Sequence, residues 1–253
     1  MTITFLGTGT SQGVPVIACN CEVCTSADPR DNRLRTSILI EAEGKVIVVD
    51  SGPDFRYQML RAKVQRLDAI VFTHEHKDHI AGLDDIRAFN YKQQAPIDVY
   101  ADLRVQAALK REFYYIFEEN KYPGIPQLTL HTIGGEPFNI GKVNFIPIEV
   151  MHYKLPVLGF RINDFTYITD AKTVSEEEKE KIKGSKILVV NALQTQTHIS
   201  HFTLDEAIAF ANEIGAEKTY FTHISHRLGK HQAVSEILPP QIELAYDGLR
   251  LDM

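Results

Sequence analysis

Three imidazoles and two carboxylates, Glu75 and Asp78, fall within the six residues His74-Glu75-His76-Lys77-Asp78-His79. They directly follow the apolar run Ala69-Ile70-Val71-Phe72, so a strand delivers them. His74 and His76 are two apart, and extended backbone points both to one side. Asp78 and His79 come at the entry to a helix, where the turning chain offers a second set of ligands. A strand end of this kind holds two metal ions over a sheet edge. A solvated, ligand-free cluster of this density is the weaker reading.

Cys19, Cys21 and Cys24 form a second group, with C-x-C-x-x-C spacing. Three is an odd number, and a disulfide framework needs pairs and an oxidising compartment. In a reducing compartment such thiols resemble three zinc ligands awaiting a fourth. Reactive thiols without a metal are the blander alternative.

Two metal ions need more ligands than one motif supplies. The second half of the chain offers His152, Asp170 and His223, each closing an apolar run where a strand brings a side chain to a rim. Alone, each is a weak signal; together with the first cluster they carry weight. Two divalent ions about 3.5–4 Å apart can share a hydroxide and clamp the attacking and leaving oxygens of an in-line displacement. They lower the pKa of a water from 15.7 to about 7. Imidazoles and carboxylates suit zinc, manganese or iron.

The H-x-H-x-D-H pattern resembles the signature of the metallo-β-lactamase superfamily, over essentially the whole length. The resemblance implies an α/β fold, an αββα sandwich of two mixed β-sheets flanked by helices, with the site at one sheet edge. It implies one metal on His74, His76 and His152, a second on Asp78, His79 and His223, and Asp170 bridging. Asp50, in Val48-Val49-Asp50-Ser51-Gly52, matches a supporting aspartate that orients a ligand histidine without touching metal. The cysteine segment, Leu6 to Pro15 and Gly82 to Arg87 further resemble the PhnP phosphodiesterases, which act on substrates such as phosphoribosyl 1,2-cyclic phosphate. That resemblance implies a structural zinc on Cys19, Cys21, Cys24 and His226, three residues beyond His223. It gives catalytic roles to Asp78 and to His201, the latter as general acid, with His198 a nearby competitor. It also favours a homodimer. Arg87 reads first as a helix-surface ion pair with Asp84, and only second as a contact to substrate phosphate.

The elements that must position these residues alternate along the chain. Strands are expected at Thr2–Gly7, Thr36–Glu41, Lys45–Asp50, Leu67–Thr73 and Ile97–Ala101, with Glu43-Gly44 as a hairpin turn. Helices are expected at Phe55–Lys63 behind Asp54 as N-cap, at His79–Phe89 and at Asp102–Glu119. Later strands are expected at Lys142–Ile148, Val157–Ile162, Phe165–Thr169, Lys186–Asn191 and Thr219–Thr222, and a helix at Ser175–Ile182. Thr203-Leu204-Asp205-Glu206 reads as a capping box opening an amphipathic helix. Gly7-Thr8-Gly9-Thr10-Ser11-Gln12-Gly13 lacks the Gly-Lys-Ser/Thr ending and following helix of a phosphate loop. The loop Asn120–Gln127 joins two halves, about 1–120 and 121–253, of one domain spanning 1–253.

The 253 residues are 44% hydrophobic and 24% charged, ample for a buried core. A net charge of −6 disfavours long nucleic acid, although bound metal could still attract a small phosphate ester. No run is long enough for a membrane span, and Met1 to Leu6 lacks a basic leader, so a cytoplasmic location is expected. The expected function is hydrolysis of a small cyclic or nucleotide-like phosphate ester by a hydroxide activated between two metals. The alternatives are a tRNA 3′-end endoribonuclease, disfavoured by the lack of a long Gly/Pro-and-basic insertion, and a non-catalytic metal- or ligand-binding protein.

Overall fold

Strands whose side chains are apolar on both faces can persist only between two covering layers, and this chain builds both. The computed structural model describes residues 1–119 and 122–253. In chain order the strands are β1 (Thr2–Gly7), β2 (Ser37–Ala42), β3 (Lys45–Val49), β4 (Ala69–Val71), β5 (Ile97–Ala101) and β6 (Leu128–Thr132). Next come β7 (Phe138–Ile140), β8 (Val143–His152), β9 (Leu155–Ile162), β10 (Phe165–Tyr167) and β11 (Thr173–Val174). The last are β12 (Ile187–Asn191), β13 (Lys218–Thr222), β14 (Ile242–Leu244) and β15 (Arg250–Asp252). The helices are α1 (Phe55–Arg61), α2 (Lys77–Ile80), α3 (Arg87–Gln93), α4 (Leu103–Glu112), α5 (Tyr114–Phe117), α6 (Glu176–Ile182), α7 (Leu204–Ile214) and α8 (His231–Ser235).

One sheet runs β15-β1-β2-β3-β4-β5-β6, antiparallel as far as β3 and parallel from β3 to β6. The other runs β11-β8-β9-β10-β12-β13-β14, antiparallel to β10 and parallel beyond, with β7 also paired to β8. Each half of the chain thus lays down an antiparallel edge and then a parallel run. β15 crosses back to pair with β1, so the C-terminal strand completes the first sheet.

Period-two alternation sorts the side chains into layers. Ile47 and Val49 of β3, and Ala69 and Val71 of β4, face Phe145, Phe160, Tyr167 and Val189 across the middle of the sandwich. Val48 and Ile70, between them, face outward onto Phe55, Met59 and Phe89 from the helices beside the first sheet. On the opposite side Ile182, Leu204, Phe210 and Val234 cover the second sheet. Full burial of each such side chain contributes about 1.5–3 kcal/mol. The result is the expected αββα sandwich.

Several elements differ from expectation for identifiable reasons. The expected helix His79–Phe89 is split into α2, a 3₁₀ turn at Leu83–Ile86, and α3. The break falls at Gly82, whose N–H donates to Ser51 O at 2.8 Å. A Cβ there would lie 2.1 Å from Gly52 O, so the chain gives up helical continuity to nest against the Asp50 turn. The expected helix Asp102–Glu119 breaks at Phe113, which brings both Phe113 and Ile116 into the core and Tyr115 onto Asp84. Asp54 occupies the N-cap position of α1 without capping; Arg35 takes its carboxylate through its backbone N–H (2.9 Å) and guanidinium (3.0 Å). Strands β6, β7, β11, β14 and β15 were not anticipated: β7, β11, β14 and β15 have only two or three residues and no readable period, and the five-residue β6 is an edge strand with no fully buried side chain. Within the loop Asn120–Gln127, Asn120 and Lys121 lie outside the described residues, as does the boundary drawn between the two halves. Residues 122–127 form neither helix nor strand.

The capping box at α7 is present in full, with Thr203 Oγ1 accepting from Glu206 N and the Glu206 carboxylate accepting from Thr203 N. Thr203→Ala is therefore expected to lower unfolding free energy by about 1 kcal/mol. A urea titration reads this as a lower midpoint at unchanged slope, and an unmoved midpoint would show the cap to be energetically silent.

Candidate metal centres and active site

Five strand ends open onto one edge of the sandwich. β3 leads into Asp50, β4 into Thr73 and His74, β8 ends on His152, β10 leads towards Asp170, and β13 leads into His223. Asp50 is fully buried and ties the first group together. Its Oδ1 accepts from Thr73 N at 2.9 Å, and its Oδ2 accepts from Thr73 Oγ1 at 2.8 Å and from His79 Nδ1 at 2.7 Å. The Thr73 hydroxyl has then spent its proton and can accept from His74 Nδ1, 3.0 Å away. His79 and His74 are thereby both turned to offer Nε2. His152 is fixed in the same way, its Nδ1 lying 3.0 Å from Asp170 O and 2.9 Å from Ser200 O.

The freed ring nitrogens converge on carboxylates. His79 Nε2 lies 3.2 Å from Asp78 Oδ2 and 3.3 Å from Asp170 Oδ2, and His223 Nε2 lies 3.2 Å from Asp170 Oδ1. His74 Nε2 lies 3.0 Å from His76 Nδ1, and the rings of His76 and His152 are 5.2 Å apart. Ligands about 2.0–2.1 Å from a tetrahedral ion sit about 3.3 Å from one another. His79 Nε2, His201 Nδ1 and both nitrogens of His223 are buried with no hydrogen-bond partner, although buried polar atoms are normally satisfied. A cation among them would supply what they lack. The residues present therefore fit two divalent ions: His74, His76, His152 and Asp170 could hold one, and Asp78, His79, His223 and Asp170 the other. All seven expected ligands are brought together here, and Asp50 stands behind them.

The electrostatics agree. Burial opposes charge on His79, yet Asp78, Asp50 and Asp170 hold its pKa well above the ordinary histidine value. Burial would likewise neutralise Asp170 and Asp78; for Asp170 the neighbouring His223 and His79 prevail, and for Asp78 His79 and the His223 contact prevail, so both stay ionised. Burial and the neighbouring His79 keep His74 neutral, which is the form that ligates metal. The acidic groups thus concentrate negative charge around His79, with the neutral His74 ring beside it.

Backbone conformation contributes too. Asp50 (φ 64°), Asp170 (φ 59°) and His223 (φ 53°) all lie in the left-handed region. Such residues cost about 1–3 kcal/mol each and persist where surrounding structure over-determines them. Two glycines do so for Asp50. A Cβ on Gly52 would come within 2.0 Å of Asp78 O, and Gly82 is equally confined, so only glycines let the Asp50 turn nest on α2. Asn191 does so for Asp170, its side-chain amide accepting from Ala171 N (2.6 Å) and donating to Ala171 O (2.9 Å).

The cysteine group forms a separate centre. Cys19, Cys21 and Cys24 Sγ lie 3.3, 3.4 and 3.4 Å from His226 Nδ1. One ring nitrogen cannot hydrogen-bond three sulfurs at once, whereas four ligands around zinc are spaced about 3.5 Å. The backbone N–H of Cys24 leads in lowering the Cys21 thiol to about 6, while burial raises Cys24 to about 11. The four residues fit a closed Cys₃His site, and His223 and His226 share one loop between the two centres.

His201 stands at the inner rim. Its ring is 4.4 Å from that of His152 and 4.8 Å from that of His223, and its Nδ1 is 3.8 Å from Asp170 Oδ1. Burial lowers its pKa to about 2, so the ring is neutral. His198 lies farther out, 5.1 Å from His201 and directed at Ser200. Arg87 pairs with Asp84 at 3.8 Å and lines a different cleft with Asn90 and Tyr91, in keeping with the surface ion-pair reading.

Thr73, Asn191, Arg104 and Ser200 escaped the sequence reading. Arg104 donates to Glu75 Oε2 at 2.9 Å and to Pro156 O, bracing the histidine motif against the start of β9. Only Thr73 carried a usable signal, as a polar residue closing a strand next to His74. The others act through a backbone carbonyl or a partner far along the chain.

Comparison with known proteins agrees with this geometry. Residues 45–224 match the Beta-lactamase superfamily domain. The chain is 40% identical to a protein whose crystal structure is described as a new diphosphatase from the PhnP family, covering 99% of this chain and 96% of that one at a TM-score of 0.93. It is 41% identical over 252 residues to the octanoyltransferase of Porphyromonas gingivalis, covering 98% of this chain but spanning only about half (51%) of that relative. Zn²⁺-bound PqqB from Methylobacterium extorquens shares the fold at a TM-score of 0.80 and 19% identity, with both chains covered in full. The chain therefore belongs to the metallo-β-lactamase superfamily and, within it, to the PhnP family. The family is one of metallo-hydrolases, and the groups of metal-type ligands described above agree with it. Among the described residues no helix is long and apolar enough to cross a membrane. The cysteine group and His226 fall outside the matched superfamily segment.

Gly52→Ala is expected to push α2 from the Asp50 turn and lower metal content at the histidine cluster by at least one ion per chain, while circular dichroism stays native. Full metal content in that variant would show that the nested turn does not position the site. Cys21→Ser is expected to lose one zinc and lower the melting temperature. Preserved zinc and melting temperature would count against a structural site.

Proposed function

We propose that this chain hydrolyses a P–O bond in a small phosphate diester, cyclic or nucleotide-like. The observation that carries the reading is the convergence of seven metal-type ligands, several with unpartnered buried nitrogens, beneath an open rim. Two divalent ions bound there, zinc or manganese or iron, would acidify a water to a pKa of about 7 and offset charge on the phosphoryl oxygens. The chain's own residues do the rest. Asp50 and Thr73 hold His79 and His74 in the ligating tautomer, and Asn191 fixes the turn that presents Asp170. His201 stands beside both ligand sets and is placed to donate an N–H hydrogen bond to the departing oxygen, with Asp170 facing its other nitrogen. A third ion, zinc, is assigned to Cys19, Cys21, Cys24 and His226, where it would tie the segment after β1 to the β13 loop.

A diphosphate linkage is the second reading, favoured by the activity named for the 40%-identical relative. The two differ only in whether the leaving oxygen belongs to an alcohol or to a second phosphate. Purified protein is expected to hydrolyse bis-p-nitrophenyl phosphate or a diphosphate diester, and His76→Ala to abolish turnover. His201→Asn is expected to retain metal and lower kcat by about 10²–10⁴-fold. Turnover surviving in His76→Ala would overturn the ligand set. About three metals per chain supports the enzyme reading, and only the cysteine-bound zinc would leave a binding module.

A further inference from the structure

The candidate ligands His76 and His152 floor a cleft of about 440 Å³ whose walls supply no candidate metal ligand. Its volume lies within the range of about 300–1,000 Å³ usual for small-molecule sites. One wall is the two-residue turn between β8 and β9, Tyr153-Lys154; the other is Ile199-Ser200, in the loop before α7. Tyr153 is 52% exposed and Ile199 65% exposed, so two large apolar side chains stand in solvent in the same cleft as His76 and His152. His152 joins the walls, because its Nδ1 meets the Ser200 carbonyl at 2.9 Å while its own strand runs into Tyr153. Lys154 Nζ lies 5.3 Å from the Tyr153 ring centroid, which places an ammonium beside an aromatic face.

The backbone supplies an independent observation. Tyr153 has φ 57°, in a tight hairpin where His152 pairs with Leu155. Left-handed backbone at the first turn position is the place for glycine, and a bulky aromatic residue there is strained. A strained residue that packs into no core and faces a cleft points to a task in that cleft.

We propose that this cleft binds the non-reacting end of the substrate, and that this end is a planar aromatic ring of the nucleobase class. Tyr153 and Ile199 sandwich the ring, and Lys154 reaches the phosphate chain on the side facing His76. The proposal rests on the phosphate-ester hydrolase reading and narrows its substrate to base-bearing phosphates. An aromatic face accepts any base by stacking, and an apolar side chain opposite excludes water from the second face. Lys154 also adds a local cation beside the metal centre, which favours an anionic substrate on a chain of net charge −6.

Calorimetric titration of the metal-loaded protein with adenosine 5′-monophosphate and with ribose 5-phosphate tests this, since the second carries an anomeric hydroxyl where the first carries the base. Wild type is expected to bind the base-bearing ligand roughly tenfold more tightly, about what one base–aromatic stack contributes. In Tyr153→Gly and in Ile199→Ser that preference should fall to within about twofold. Tyr153→Gly should not lower the melting temperature, because glycine relieves the left-handed turn; this separates loss of stacking from loss of fold. Equal affinities in wild type, or an undiminished preference in both variants, would overturn the proposal. So would a change of oligomeric state in Ile199→Ser with the preference intact, which would make the patch a subunit contact. Base preference without turnover of any phosphate diester or diphosphate would sink the hydrolase reading and leave the cleft standing; turnover without base preference would do the reverse.

Discussion

The Asp50 carboxylate, buried at the end of β3 and facing His79 from 2.7 Å, is the interaction on which the site is built. A buried ionic contact of this kind adds little net stability, because desolvation offsets its attraction. Removing one partner is another matter, costing about 3–5 kcal/mol as an uncompensated group is left inside. Asp50 is committed on three sides, to Thr73 twice and to His79 once, with the Ser37 hydroxyl donating to its carbonyl at 2.8 Å. One buried acid thus sets the orientation of two imidazoles and, through Thr73, the register of β4 against β3. What the protein gains is geometry.

The rest of the fold can be understood as the scaffold for that geometry. Parallel strands β3, β4 and β5 are apolar on both faces and sit between helices and the second sheet, so their ends cannot shift without opening a core. The second sheet repeats the device with β10, β12 and β13, delivering Asp170 and His223 to the same edge. Left-handed backbone at Asp50, Asp170 and His223 turns each side chain inward where the strand stops. Strain of about 1–3 kcal/mol at each is small beside the burial of some twenty apolar side chains in each core layer.

The two centres are joined through the segment that follows β13. His223 faces Asp170, and three residues later His226 faces the cysteines. Thr10 N donates to Ile224 O, and Ile224 N donates to Thr8 O, so the glycine-rich turn after β1 is sewn to the same segment. Order at the cysteine centre is therefore order at the position of His223. The Gly7–Gly13 stretch, which superficially suggests a phosphate loop, is a structural seam.

The motif His74 to His79, the cysteine spacing, the capping box at Thr203 and the apolar runs of the central strands were legible in the sequence because each is written within a few residues. Local periodicity reports which face a side chain takes, and residue type reports what it can ligate. Which distant residues meet is a different kind of information. That Gly52 and Gly82 nest, that Asn191 holds the Asp170 turn, that Arg104 braces Glu75 against Pro156, and that Tyr153 and Ile199 face one cleft all depend on two sheets packing at a fixed separation. Even the helix expected at His79–Phe89 was broken by a contact from thirty residues earlier. The sequence by itself determined the chemistry available and the strands that carry it. Only the tertiary structure decided how those groups are aimed, because close packing and a buried carboxylate, both absent from any local stretch of chain, set the angles.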